Sequence, residues 1–313
     1  MKRGIQGESA ELFEKSITTS TRKQYESGLR AWWNFSYENN LDVYDTKTPQ
    51  IIDFLHKMFK KGASYSSLNT TRSAISLISI NNINNDGMIS GFFKSVFKER
   101  PTKPKYTTTW DVSPVLDFLE KLAPFKQLKL KEAGEKLSTL LALTSAQRLQ
   151  TLALINIDNI VIDSTGLSIK ITERIKTSKA DAYQPELILP FFQEKSNLCV
   201  ASLILEYLDI TKELRDKNAK YLLITSTKPH TSAKAETIGH WIKNTLNKAG
   251  IDTNKFTAYS TRLAAVSDAH KKGVDVNMIM KTAGWSQGSQ TIFKFYNRPI
   301  EAQSGTFART IFG

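Results

Sequence analysis

The stretch KERPTKPKYTTTW, Lys98 to Trp110, decides how a chain like this can be divided. Pro101 and Pro104 supply no backbone N–H, and each pushes its predecessor toward extended geometry, so no helix or ladder strand runs through them. No apolar period crosses the stretch, and Lys98, Arg100, Lys103 and Lys105 make it basic. It reads as an extended, charged linker. The 313 residues also exceed one typical domain. The expected organisation is a helical domain over 1–100, a linker over 101–110, and a second domain over 111–313 with a tail at 299–313.

Helical periodicity dominates ahead of the linker. In TSTRKQYESGLRAWWNFSYENN, Tyr25, Leu29, Trp32 and Ser36 share a stripe that Trp33 widens, behind Ser/Thr capping residues. TKTPQIIDFLHKMFKKG predicts a Thr-capped helix with Pro49 at its first position and Gly62 as its stop. Leu68, Ile75 and Ile78 give SYSSLNTTRSAISLIS an apolar face, with Arg72 among small hydroxyl residues, and SGFFKSVFKER is a last short helix. Beyond the linker, TWDVSPVLDFLEKL and GEKLSTLLALTSAQRLQTLALI are again helical. The period then changes to two. NIVIDSTGLSIKITERIKTSK alternates around a Ser-Thr-Gly turn, and PELILP reads as a third strand. Helices return in NLCVASLILEYLDITKELRDK, in SAKAETIGHWIKNTLNKAG and from Thr257 onward. The fold class is mainly α with a small antiparallel β-sheet in the second domain.

Composition narrows the function. The 43 basic residues outnumber the 30 acidic ones, a net of +13, and both sides of the linker are positive, which points to a polyanionic partner touched by both. No apolar run is long enough to cross a bilayer, and the first residues lack a signal-type hydrophobic segment. The single Cys199 excludes an internal disulfide, and with four scattered histidines it makes no zinc pattern. The expectation is a soluble, intracellular protein without a metal.

Four local features carry chemistry, and each has an ordinary reading when taken alone. Arg148 lies in a predicted helix among Leu143, Leu149, Leu152 and Leu154, where a guanidinium must be paired or face a cleft; a structural salt bridge would satisfy it. Arg262 stands at the start of a helix stopped by Gly273, three residues after Tyr259. An arginine at a helix N-terminus forks toward phosphate oxygens, or is simply solvated. Lys176 and Lys179 fall at a strand end and in the following turn, where a lysine reaches into a groove or stays in solvent. Gly284 ends a helix, Ser289 caps the next, Pro299 stops it, and Ile292, Phe293 and Tyr296 fall on its apolar side, as core packing would require.

In order and spacing, Arg148, a β-hairpin lysine, Tyr259-x-x-Arg262, Gly284-Trp285 and Tyr296 resemble the tyrosine recombinase (phage integrase) superfamily. That family's motif runs Arg, Lys, His-x-x-Arg, His or Trp, Tyr. TSTRKQYESGLRAWWNF looks like its core-binding helical domain, so the resemblance spans nearly the whole chain. TWDV, QRLQTLALI, IKTSK and AGWS…FKFYNRP are most similar to recombinases of eukaryotic mobile elements, the Crypton and DIRS/Ngaro types.

The resemblance implies a two-domain clamp on double-stranded DNA that cuts and rejoins strands through a 3′-phosphotyrosyl intermediate, for integration or excision of a mobile element. Tyr296 would be the nucleophile and Arg148 and Arg262 the stabilisers of phosphorane charge. Lys176 would be the general acid with Lys179 as its fallback, while Trp285 and Tyr259 would position the phosphate. Arg72, Lys103, Lys105 and Lys179 would contact DNA. It further implies no cofactor, no small-molecule substrate, no membrane, and a tetramer on DNA from a free monomer or dimer. The nucleus would be the location if the host is eukaryotic, and the cytoplasm otherwise. Phe307, Ile311 and Phe312 of the tail would dock on a neighbouring subunit.

Three positions depart from the family pattern. Tyr259 replaces a histidine and cannot act as an acid or base near neutral pH, Thr151 stands where many relatives carry a carboxylate, and the spacing from Trp285 to Tyr296 is longer than in most bacterial relatives. These departures keep open a recombinase-derived DNA-binding protein without catalysis. A type IB topoisomerase would use the same arginines and tyrosine.

Overall fold

A computed structural model of the chain describes residues 7–178, 184–286 and 292–300. It separates into two compact units, Met1–Pro104 and Lys105–Gly313.

The first unit is helical: α1 (Glu8–Glu14), α2 (Thr19–Glu38), α3 (Thr48–Lys60), α4 (Tyr65–Ile78) and α5 (Gly87–Glu99). Side-chain caps start three of these helices. Thr18 Oγ1 accepts the Thr21 amide, Ser64 Oγ the Ser67 amide, and Asp86 the amides of Met88 and Ile89. Asp86 also accepts the Thr48 hydroxyl, so Thr48 ties α3 to α5 rather than capping its own helix; Gln50 Oε1 accepts the Lys47 amide at that cap instead. The buried face of α2 is Gly28, Trp32, Phe35 and Ser36. Gly28 sets it, because a Cβ there would stand 2.8 Å from Thr71 Oγ1 on α4. With α4 seated over Gly28, Trp33 is turned outward and is exposed, contrary to the stripe expected from the sequence. Trp32, Phe35, Phe54, Leu55, Leu68 and Ile75 are central to this unit's core.

The second unit begins before its first helix. Tyr106, Thr109 and Trp110 are buried in it, so the latter half of the expected linker is structural. The Tyr106 ring stacks on Phe256, and Trp110 Nε1 donates to Ser260 Oγ. A linker reading misses this because the anchors are three separated side chains without a period. The elements that follow are α6 (Ser113–Lys121), α7 (Leu130–Ser145), α8 (Leu149–Ala153), β1 (Ile160–Ile162), β2 (Gly166–Lys170), β3 (Glu186–Pro190), α9 (Val200–Thr211), α10 (Ala235–Lys248), α11 (Ser260–Lys271) and α12 (Val276–Thr282). A π-helical turn spans Ile292–Tyr296.

The sheet is antiparallel in the order β1-β2-β3, with Ile160 opposite Ile169 and Leu167 opposite Leu189. Leu167, Ile169, Leu187 and Leu189 face the core while Val161 and Ile188 face out, the alternation of a half-buried sheet. Asp163 Oδ1 accepts the Thr165 and Gly166 amides and closes the first hairpin. Helix α7 is enclosed on nearly every side, packing against α9, α10 and α11. Gly134 lets the Trp241 ring of α10 approach, and the buried Glu135 is paired with Lys248 at 2.7 Å. A mainly helical fold with one small antiparallel sheet is what the sequence patterning predicts.

Candidate active site around Arg262 and Tyr296

Two sharp corners build the site. At the first, α7 ends at Ser145 and Ala146 turns left-handed (φ 49°). Arg148 is therefore not inside a helix, as the apolar spacing suggested. It is extended (φ −76°, ψ 151°) and opens α8, its carbonyl accepting the Leu152 amide. The helical period runs unbroken through TSAQRLQ because nothing in that stretch is a glycine or proline. At the second corner, α12 closes on Gly284 in the left-handed region (φ +67°), with the Trp285 amide donating back to Met280 O.

The carbonyl end of α12 joins these corners. Gln147 Nε2 donates to Thr282 O at 2.6 Å, and Arg262 Nη2 donates to Ala283 O at 2.7 Å. A helix C-terminus is a favourable place for cationic and N–H donors. The arginine corner, the first turn of α11 and Trp285 are thus held together by two adjacent carbonyls.

Arg262 is only 3% exposed, and its Nε and Nη1 have no acceptor among the described residues. Its guanidinium carbon stands 4.6 Å from the Trp285 ring and 5.4 Å from the Tyr296 ring. Trp285 Nε1 is likewise buried without an acceptor among the described residues. A buried donor left unpaired costs about 1–3 kcal/mol, so three together in one place mark a site open to an acceptor that the described residues do not supply. Burial is the main reason the Arg262 guanidinium drops to about 10, and the positive charge of Arg148 beside it adds to the effect. No carboxylate pairs with either arginine among the described residues.

Tyr296 is 5% exposed, its ring 4.7 Å from that of Trp285. Its hydroxyl bonds the hydroxyl of Tyr259, which caps the start of α11 and is 52% exposed. Burial pushes the Tyr296 phenol up to about 12 and the bond from Tyr259 acts in the same direction, while Arg262 and Arg148 pull it back. Five of the predicted residues, Arg148, Tyr259, Arg262, Trp285 and Tyr296, therefore meet in one place. The same side chains that look like core packing in sequence surround a patch of unused N–H donors.

Lys176 is placed differently from the expectation. Strand β2 stops at Lys170, and Lys176 lies exposed in a turn of the β2–β3 connection, where Ser178 Oγ accepts the Ile175 amide at 2.8 Å. Its own amide donates to Gln150 Oε1 of α8, so the loop is tied to the helix that Arg148 opens. Lys179, Ser289 and the tail with Phe307, Ile311 and Phe312 lie outside the described residues. Arg72, on α4, lies 5.5 Å from the Phe93 ring with its Nε buried and unpaired. Lys103 and Lys105 are exposed on either side of the boundary between the units. Thr151 is buried in α8. Sequence reasoning passed over Gln147 and Gln150, which bracket Arg148; their proximity to it was the available signal.

Among the described residues, no group of three or more His, Cys, Asp or Glu side chains could hold a metal ion, and no helix is long and apolar enough to cross a membrane.

Residues 107–302 match the phage integrase family, which covers more than half of the chain and contains every residue of this site; the chain belongs to that family. No curated protein sequence matches it. Solved structures match in fold. XerH site-specific recombinase bound to difH substrate, in a pre-cleavage complex, aligns at a TM-score of 0.59 with 16% identity over 93% of this chain and 79% of that one. The Tn1549 transposon integrase in complex with transposon right-end DNA aligns at 0.62 with 13% identity over 95% of both chains. A lambda integrase dimer bound to a COC′ core site aligns at 0.54 with 15% identity over 92% of both. Such identities speak for the fold, and the residues above speak for the site.

Proposed function

We propose that the chain is a site-specific DNA recombinase of a mobile element, cutting and rejoining double-stranded DNA through a covalent tyrosyl intermediate. The observation that carries this reading is the cluster of unpaired buried donors, Arg262 Nε and Nη1 with Trp285 Nε1, beside a tyrosine hydroxyl and a second arginine. A scissile phosphate suits those donors in hydrogen bonding and in charge.

Tyr296 Oη attacks the phosphorus and gives its proton to solvent water as the bond to the 5′-oxygen breaks, leaving a 3′-phosphotyrosyl link and, once protonated, a 5′-hydroxyl. Arg148 and Arg262 meet the charge growing on the non-bridging oxygens, as preorganised donors already desolvated before DNA arrives. Trp285 Nε1 gives one more hydrogen bond. The exposed Tyr259 donates to phosphate once it releases Tyr296. Lys176 protonates the departing 5′-oxygen from the β2–β3 loop. The same steps in reverse, with a different 5′-hydroxyl, join strands without outside energy because the phosphotyrosyl bond keeps that of the broken one.

Tetramer assembly on two duplexes and a Crypton- or DIRS-like origin extend the reading. The first rests on the need for four active sites, the second on QRLQTLALI and AGWS…FKFYNRP. The test is a nicked duplex carrying the cognate site, which traps the covalent product. Wild type is expected to give a denaturation-resistant protein–DNA adduct that Tyr296→Phe abolishes while DNA affinity persists. An adduct that survives Tyr296→Phe removes Tyr296 as nucleophile, and no adduct from wild type leaves a binding-only protein.

A further inference from the structure

Position 267 carries a serine in the interior of α11, five residues beyond Arg262 and 4% exposed. A buried serine inside a helix usually returns its hydroxyl to the carbonyl one turn back, as Ser145 does with Leu141 O. Ser267 does not. Its Oγ donates to Tyr296 O at 2.7 Å and accepts the Arg298 amide at 3.2 Å, so one hydroxyl holds the backbone of Tyr296 and of the second residue after it.

We propose that Ser267 is a positioning residue for Tyr296, fixing the depth at which its hydroxyl meets the phosphate; this rests on the function proposed above. Five residues of helix span about 7.5 Å. Helix α11 thus presents Arg262 to the Tyr296 ring at one level and Ser267 to the Tyr296 backbone at another, separated by about the reach of a tyrosine side chain. Elsewhere the turn is held by the buried Ile292, by the Asn297 amide on Ile292 O, and by the Thr109 amide on Pro299 O. The Asn297 amide and the Tyr296 carbonyl share one peptide unit, so that unit is anchored through its N–H on Ile292 O and through its oxygen on Ser267, the one bond among these that the Tyr296 oxygen itself accepts. Without the Ser267 hydroxyl the segment stays attached at both ends, but the carbonyl of the nucleophile loses its bond and the ring gains freedom along the attack direction.

The experiment is single-turnover cleavage of the nicked duplex by full-length Ser267→Ala and Ser267→Thr, with DNA affinity and melting temperature measured alongside. Ser267→Ala is expected to slow adduct formation by roughly 10- to 100-fold, since misplacement of about 1 Å costs on that order. DNA affinity should stay within about 2-fold, because the hydroxyl faces the protein backbone. Ser267→Thr, which keeps the Oγ, should recover most of the rate. A second substrate, with sulfur as the bridging 5′ atom, removes the need for a proton on the leaving group. It should restore Lys176→Ala and leave Ser267→Ala slow.

Wild-type rates in Ser267→Ala, rescue of Ser267→Ala by the sulfur substrate, or a Thr variant no faster than Ala would each overturn the assignment. So would a fall in affinity and melting temperature large enough to account for the lost rate. An adduct made by wild type keeps the function intact in all of these outcomes, whereas no wild-type adduct removes the function and the positioning role together.

Discussion

Replacing Arg262 by methionine should separate stability from chemistry. The depression of the Arg262 guanidinium to about 10 corresponds to roughly 3 kcal/mol of penalty on holding the charge in the fold. Nearly all of that penalty is present at neutral pH, where the residue is charged in folded and unfolded chains alike. Against it stands the bond to Ala283 O, worth about 1–2 kcal/mol, and the contact with the Trp285 ring, worth about 1 kcal/mol. Methionine keeps the bulk and adapts to the gap.

The net expectation is a change between zero and a gain of about 1 kcal/mol, or up to roughly 4 °C in melting temperature for a unit of this size. Cleavage should fall by at least 10²–10³, the usual loss for one preorganised donor, because two unpaired donors and a charge go at once. The assays are calorimetric melting and single-turnover adduct formation on the same preparations, repeated with added orthovanadate as a phosphate mimic. Vanadate should raise the melting temperature of wild type and not of Arg262→Met. A melting temperature lowered by 10 °C or more, or equal stabilisation of both proteins by vanadate, would show that Arg262 is a structural arginine.

Other consequences can be measured separately. The Tyr296 phenol, pushed up to about 12 chiefly by burial, keeps its proton in the fold at pH values where the unfolded chain has lost it. Wild-type stability should therefore fall more steeply than that of Tyr296→Phe as pH rises from about 10 to 12, read as the difference between their denaturant midpoints; parallel curves would mean the hydroxyl is solvated. Lys136, whose stem is enclosed in α7 while its ammonium donates to Leu122 O at 2.7 Å, is lowered to about 8, first by burial, with Glu206 and Glu120 opposing. The fold holds a proton there less tightly than the unfolded chain, so Lys136→Met should raise the melting temperature at pH 7, with a gain that shrinks above pH 8; a loss at pH 7 would refute this. Gly166→Ala would drive a Cβ into Leu189 O and the Pro190 backbone, forcing β2 from β3. It should cost more than about 3 kcal/mol in urea unfolding and slow cleavage through the loop that carries Lys176; a near-neutral result would mean the two strands separate freely.

The helical first unit, the three strands and the helices around them were legible because apolar spacing survives wherever one face of an element is buried. Trp33 shows where that spacing stops being informative. The α2 stripe admits it by period, and the approach of α4 at Gly28 turns it out into solvent. Tyr106 and Trp110 show the reverse, anchors hidden in a stretch that reads as a linker. Ala146 is the clearest miss. An alanine in left-handed geometry costs about 1–2 kcal/mol, so no local preference announces the corner, and the bond from Gln147 to Thr282 O, far along the chain, helps to hold it.

By itself, then, the amino-acid order determined which elements form, the positive charge on both sides of Pro101 and Pro104, and the succession Arg148, Tyr259, Arg262, Trp285, Tyr296 that resembles the family's motif. Those properties are local, or survive as a pattern along the chain. Only the tertiary structure decided that the five side chains meet, that Arg262 and Trp285 keep donors unspent, and that Ser267 holds the tyrosine's backbone. Whether a buried N–H finds an acceptor depends on atoms contributed by segments far apart in the chain, and no spacing along one segment contains that information.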